Sequence, residues 1–334
     1  MPRVSLTAVA AELGISAMTV SRAMRGRPGV SDALRERILS TAARMGYRPD
    51  PEIGKLMHHL RYAEKSGRHA NLCAVTDFAA DAEPRYCARL HRHAAHRAGE
   101  LGFAFSVIRV EPKKSGWSAA LRSIKARGVE GILLLPMTAE TALDPDDWRG
   151  LSVVSATSSV TSPRFHEVAP NHAANARLII DHLVAGGFRR LGYVGLSAHA
   201  RRTREALLAA LAWHHARQGE SCAPLLYASE NPPDIVTWAR RENPDLVLVG
   251  RPTDLPRFRA ELERAGLRPP WALANSRAFF DHAPGLDERD DLIGAAAIDT
   301  LASLVTRGER GVPGVPTSVS ITGQWSDAKI VTLA

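Results

Sequence analysis

The chain has 334 residues, 45% of them hydrophobic and 23% charged, an ordinary globular balance with length for two or three domains. No apolar run approaches the roughly 18–20 residues that span a bilayer, and Met1-Pro2-Arg3 leads into no apolar signal segment, so a cytoplasmic protein without a membrane partner is expected. The net charge of +8 is uneven: residues 1–61 hold ten Lys/Arg against five Asp/Glu, a basic head on a near-neutral body, which places nucleic acid at one end.

Ser5 is positioned to cap a first helix through about residue 13, with Val9 and Leu13 one turn apart on its inner face and Ala10 small enough for a second helix to cross closely. Gly14 supplies the left-handed backbone of a tight turn. Ile15 anchors that turn, and Ser16 caps a second helix over 17–25, where Val20 and Met24 continue the buried face. Gly26, Pro28 and Gly29 break the chain before Ser31 caps a third helix with the apolar stripe Leu34, Ile38, Leu39, Ala42 and Met45. Three short helices around one small core, the first two joined by a glycine turn, form the helix-turn-helix layout. Residues 1–48 are therefore expected to bind double-stranded DNA through the second helix; a three-helix bundle that binds protein is the alternative.

The run Val9-Ala10, Gly14-Ile15-Ser16, Thr19-Val20-Ser21-Arg22, then Gly29-Val30-Ser31 and Gly46-Tyr47-Arg48-Pro49, closely resembles the head of the LacI-type (LacI/GalR) transcriptional regulators. Arg22 suits a bidentate contact to guanine O6 and N7, worth about 1–3 kcal/mol of discrimination. The resemblance puts Ala17 and Met18 where the family places its main base-reading side chains; here they can only pack on thymine methyl groups. Ser5, Ser16, Thr19 and Ser21 suit phosphate oxygens, which set register without reading sequence.

Residues 49–70 are expected to be a hinge helix and linker. Asp50 can cap, Pro51 suits the first helical position and Glu52 suits the helix dipole. The segment is short, and Gly54 costs about 1 kcal/mol relative to alanine, so it is poised between coil and helix. The resemblance implies that it orders on specific DNA, pairs across a homodimer and drives Leu56 into the central minor-groove step, unstacking it. The hinge departs from the family at Asp50, Ile53 and Gly54, where Asn, Ala and Arg are common.

Over 71–334, strand-like runs at 72–76, 103–110, 131–135 and 151–156 alternate with helical stretches at about 84–101 and 117–127. A second set takes helices at 172–186, 203–217, 232–242, 256–265 and 292–307, with strands at 191–194, 224–227, 246–249 and 271–274. Repeated βα units predict parallel sheets with helices on both faces, in two similar lobes. Gly128-Val129-Glu130-Gly131-Ile132, His182-Leu183 with Gly186-Gly187-Phe188-Arg189-Arg190-Leu191-Gly192-Tyr193, Arg264-Ala265-Gly266-Leu267 and Gly323-Gln324-Trp325 resemble the core of the same family. The implied fold class is an N-terminal all-α helix-turn-helix head plus an α/β, periplasmic-binding-protein-like core of two doubly wound lobes, crossed three times by the chain.

That resemblance also implies a cleft for a small-molecule effector, a sugar or related metabolite, between the lobes. A family arginine at the start of the helix after strand 191–196 has three rivals here, Arg201, Arg202 and Arg204, of which Arg204 is favoured by its spacing to Leu208. Asn171 and Asn275 stand where the family often has Asp, and Phe78 and Tyr86 are candidates for an aromatic wall.

No nucleophile–base pair supports an enzyme, no Gly-rich phosphate loop supports a nucleotide cofactor, and a solute receptor would need export. His91, His93 and His96 look metal-like, yet residues 91 and 93 point to opposite sides of a helix. Cys73, Cys87 and Cys222 are too sparse for a disulfide framework or a zinc pair. The expected function is a dimeric, effector-responsive repressor, with a DNA-binding regulator lacking a ligand as the alternative.

Overall fold

The computed structural model describes residues 5–24, 29–47, 71–111, 114–228, 231, 233–275 and 283–326. Its contacts divide the chain into two compact units, residues 1–69 and 70–334.

In the first unit, α1 (Leu6–Leu13) begins at Ser5, whose Oγ accepts the Ala8 N–H at 3.1 Å, and ends at Gly14 in the left-handed region (φ 65°). Helix α2 (Ala17–Met24) follows, then α3 (Asp32–Arg44), capped by Ser31. Val9, Ala10, Val20, Ala23, Ile38 and Ala42 close one small core, ringed by Leu13, Ile15, Met24, Leu34 and Met45. Leu39, expected in the apolar stripe, is 45% exposed: next to Ile38 on a helix it is turned about 100° from the core-facing line. An ion pair between Glu12 and Arg44 (2.9 Å) ties α1 to the end of α3.

The second unit has two lobes. In lobe one, β1 (Asn71–Thr76), α4 (Arg85–Glu100), β2 (Ala104–Arg109), α5 (Lys114–Ala126) and β3 (Val129–Leu134) come first. The short pair β4 (Thr141–Ala142) and β6 (Val160–Ser162) brackets β5 (Ser152–Ser155), and β7 (His166–Pro170) ends the run. Lobe two takes α6 (His172–Ala185), β8 (Leu191–Leu196), α7 (Ser197–Arg202), α8 (Ala206–Ala216), β9 (Leu225–Tyr227), α9 (Ile235–Glu242), β10 (Leu246–Val249), α10 (Leu255–Arg264) and β11 (Trp271–Leu273). The chain then passes through β12 (Leu286–Asp287), α11 (Asp290–Arg307), β13 (Ser318–Ile321) and β14 (Gln324–Trp325).

All six strands of the lobe-one sheet run parallel in the order β13-β7-β5-β3-β1-β2, and the lobe-two sheet is parallel in the order β11-β10-β8-β9. Each sheet is buried on both faces, as parallel sheets require. In lobe one, Leu72, Ala74, Leu133 and Val154 face α4 and α11, while Cys73, Val75, Ile132 and Val153 face α5 and the fully buried Trp148. In lobe two, Ile179, Leu183, Tyr193 and Leu248 make one layer and Val194, Trp238, Val249 and Phe258 the other.

Three features depart from the sequence reading. Helix α11, expected to complete the second set, packs in lobe one against α4, β3 and β5, because the chain crosses back at β12. Strands β7 and β13 give no clear alternating signal: β7 contains Pro170 and β13 is a largely exposed edge. The imidazole of His166 joins them, Nδ1 accepting from the Thr317 N–H (3.1 Å) and Nε2 donating to Glu309 (2.9 Å). The helix expected over 203–217 starts only at Ala206, as α8, because Arg204 and Glu205 take φ 54° and 55°; ahead of them residues 197–202, for which no helix is expected, form α7.

Helices α4 and α11 approach so closely at Gly294 that a Cβ there would strike the Leu90 carbonyl oxygen and lie 3.0 Å from the Ala94 nitrogen. Gly294→Ala is expected to cost the body about 1–3 kcal/mol through overpacking, read as a lower midpoint in urea unfolding. An unchanged midpoint would show that the two helices part freely.

Candidate functional sites: the recognition helix and the interlobe cleft

The outer surface of α2 carries the residues expected to meet DNA. Met18 is 72% exposed, Ser5, Ser16, Ala17 and Arg22 are exposed, and Thr19 and Ser21 are half-buried. Ser16 works as a cap, its Oγ accepting the Thr19 N–H at 3.1 Å and sharing a hydrogen bond with the Thr19 hydroxyl at 2.8 Å. The guanidinium of Arg22 lies beside Gly29 at the start of the turn into α3, where a Cβ would stand 3.6 Å from its Nη1. Arg22 is thus the one exposed side chain on α2 able to donate two parallel hydrogen bonds to a base edge. Residues 49–70, with Leu56, lie outside the described residues.

Both sheets present their carboxyl ends to the space between the lobes, where α/β folds bind ligands. Arg202, at the end of α7, reaches across and donates to the Thr138 carbonyl oxygen of lobe one (3.3 Å), while its buried Nε has no hydrogen-bond partner among the described residues. Thr138 is itself held by Asp77, its N–H and hydroxyl donating to the carboxylate at 2.7 and 2.6 Å. Arg204, in the left-handed turn that follows, pairs with Glu167 on β7 at 3.1 Å. Two of the three rival arginines therefore bridge the lobes, with Arg202 the more enclosed.

The other expected residues divide. Tyr86, in the first turn of α4, packs with Phe78 against the core shared by α4 and α11. Burial pushes its phenol well up, the charges of Cys87, Asp290 and Glu288 add to this and Arg202 opposes it, so Tyr86 stands within electrostatic reach of both lobes' polar groups. Asn171 is occupied structurally: its side chain caps α6 through the Ala174 N–H (3.0 Å) and its backbone N–H donates to Ile321 (2.7 Å). Asn275 donates from Nδ2 to Glu288 at 2.5 Å.

Glu288, His172 and Asp290 were not visible in the sequence, since their lobes meet only in the fold. Glu288 is 19% exposed, with His172 at 3.8 Å. Burial raises its carboxyl to about 8, helped by Asp290 and Asp287 and opposed by the Asn275 bond. Asp290 is likewise raised to about 7 by burial, with Arg89 at 3.6 Å opposing. His172 is lowered to about 4 by burial and by the positive charges of His199 and Arg204. Among the described residues, no group of three His, Cys, Asp or Glu side chains is arranged to hold a metal; His91 pairs with Glu83 and His96 with Glu100.

These shifts set a pH dependence. Glu288 and Asp290 hold protons in the fold that the unfolded chain has already released, so their contribution is full below about pH 4 and is lost as pH rises through about 7 to 8. His172 acts oppositely, its contribution growing from about pH 4 to its unfolded value near 6.5. From about pH 6.5 to 8 only the acids remain, so the melting temperature of the body is expected to fall over that window and Glu288→Gln to flatten the slope. A flat parent profile would refute the assignment.

Comparison with known proteins follows the same two parts. The model of the family described as bacterial regulatory proteins, lacI family, matches residues 5–50. The "HTH-type transcriptional regulator RafR" of Escherichia coli is 48% identical over 52 residues, 16% of each chain. The "Sucrose operon repressor" of Escherichia coli is 26% identical over 186 residues, 56% of this chain and 54% of that one, so the matched stretch spans about half the length of that relative. A crystal structure of the lac repressor dimer bound to operator and the anti-inducer ONPF has the same fold over 100% of both chains, with a TM-score of 0.57 and 19% identity. The head, residues 5–50, thus matches the model of the lacI family, and the two-lobed body shares the fold of the lac repressor.

Proposed function

We propose that the protein is a dimeric repressor whose operator affinity is set by a small polar molecule bound between the lobes, with residues 1–48 as reading head, 49–70 as hinge and 71–334 as sensing and dimerisation core. The observation that carries this reading is the interlobe cluster of Tyr86, Arg202, Asn275, Glu288 and His172, polar side chains gathered from both lobes at the sheet ends. Relatives named as operon repressors, and the dimer seen on operator with an anti-inducer, support it. One head offers few base contacts, and two related by symmetry double them, which favours a near-palindromic site. Leu56 is the wedge of this scheme, and the effector acts by changing whether paired hinges form, with a coupling of about 1–3 kcal/mol that operator and ligand must share reciprocally. Selection of bound DNA from a random pool, followed by thermal-shift screening with sugars and small metabolites, tests both halves.

A second reading keeps DNA binding but drops the ligand. It is favoured by the Arg204–Glu167 and Arg202–Thr138 bridges, through which the chain joins its own lobes. Arg204→Ala separates the two: loss of the ligand response with DNA binding retained supports a sensing cleft, and a parent protein that answers no metabolite supports the ligand-independent core.

Arg22→Ala is expected to cost about 1–3 kcal/mol on the selected operator and less on random DNA, measured by fluorescence anisotropy at fixed salt. Equal losses on both would assign Arg22 to phosphate alone. Leu56→Ala is expected to reduce operator bending in a gel-phasing assay, and an unchanged bend would remove the wedge.

A further inference from the structure

Tyr193 is a buried phenol whose hydroxyl the packing of lobe two does not require. The residue is 4% exposed and lies with Leu191, Ile179, Leu246 and Leu248 beneath α6. Its ring extends along β8 toward the carboxyl end of the sheet, over Gly195 and over Gly250, the residue after β10. A Cβ built on either glycine would collide first with the Tyr193 hydroxyl oxygen. Val249 pairs with Val194, and the Gly250 N–H donates to the Val194 carbonyl at 2.8 Å, so the two glycines close the same end of neighbouring strands. Neither adopts the left-handed backbone for which glycine is usually needed. What both positions provide is room for the phenol oxygen.

Among the described residues that oxygen has no hydrogen-bond partner. The contrast is Tyr227 on the neighbouring strand β9, whose hydroxyl donates to Asp254. The Tyr193 oxygen is not among the fully enclosed polar atoms that lack a partner, so it opens to solvent at the end of the sheet, while phenylalanine would fill the same space beneath α6. The end of the sheet to which the hydroxyl is brought borders the cleft. Beyond β8 the chain enters α7, whose Arg202 reaches Thr138 of lobe one; beyond β11 it reaches Asn275, bound to Glu288; and α6, on the same face as the ring, begins at His172 beside Glu288.

We propose that the Tyr193 hydroxyl is a specificity group of this cleft, hydrogen-bonded to an oxygen or nitrogen of the bound molecule at the carboxyl ends of β8 and β10. The inference rests on the effector-responsive reading and adds a requirement to it: the ligand must carry a hydrogen-bonding group at its lobe-two end. An apolar ligand end there would leave the hydroxyl unpaired.

The test uses the full chain and its Tyr193→Phe variant, with sucrose, cellobiose, D-glucuronate, adenosine and L-arginine as separate probes in thermal shift and calorimetry. Any probe that binds the parent is expected to bind the Phe variant about tenfold more weakly or worse, the loss of one buried hydrogen bond, while the ligand-free melting temperature stays equal or rises. Gly250→Ala, which displaces the oxygen without removing it, is expected to weaken the same probe. A Phe variant with parental affinity overturns the proposal, and so does a drop in its ligand-free melting temperature, which would assign the hydroxyl to the fold. If no probe binds the parent while operator binding is intact, the effector reading fails and this inference falls with it.

Discussion

The architecture of the body depends on where α11 is buried. Its apolar face, Ile293, Ala297, Ile298, Leu301 and Val305, belongs to the core of lobe one and meets α4 closely enough that only glycine fits at 294. The chain has by then already built lobe two, so it must cross back at β12 to bury that face, and cross again to place Trp325 in the lobe-two core. Those passages set the two parallel sheets with their carboxyl ends toward a shared space. The gathering of Tyr86 and Asp290 from one lobe with Arg202, Asn275 and His172 from the other follows from that return.

Local signals are legible in the sequence and long-range ones are not. Ser5, Gly14, Ser16 and Ser31 announce the head's caps and turn, because capping is a matter of one residue and its next three amides. The continuous apolar strands β1, β3, β8 and β10 were equally plain. Strand β7 was not, since Pro170 masks it and its pairing with β13 is made by residues about 150 positions away. The break between α7 and α8 was invisible because Arg204 and Glu205 take a left-handed conformation that neither residue type advertises. In the cleft, the sequence brings forward the asparagines at the family's positions, but Asn171 is committed to a cap while Asn275 gains meaning only through Glu288. A carboxyl in an acidic run, Asp287-Glu288-Arg289-Asp290-Asp291, reads as solvated until the fold buries it.

The two candidate sites use opposite electrostatic means. On α2 the exposed surface stays in water, where Met18 offers an apolar contact and Arg22 a charge whose effect falls with salt. In the cleft, desolvation dominates: two carboxyls are held toward their neutral forms and one imidazole is kept unprotonated. Neutral groups that both donate and accept suit a polar ligand better than fixed charges do, since they exact less desolvation when it enters.

The discontinuity of lobe one has a consequence for synthesis. Its sheet begins at Asn71, yet one face is covered by α4 alone until α11 emerges, and its edge strand β13 comes later still. All four strands of the lobe-two sheet, by contrast, have left the ribosome by Leu273. The second lobe's sheet can therefore form while Leu133 and Val154 of the first still lack the cover of α11 and stay open to solvent or to a holdase. A premature stop or a stalled ribosome between 171 and 289 would leave a sticky half-lobe rather than a shorter folded protein, making translation rate through that stretch a determinant of yield.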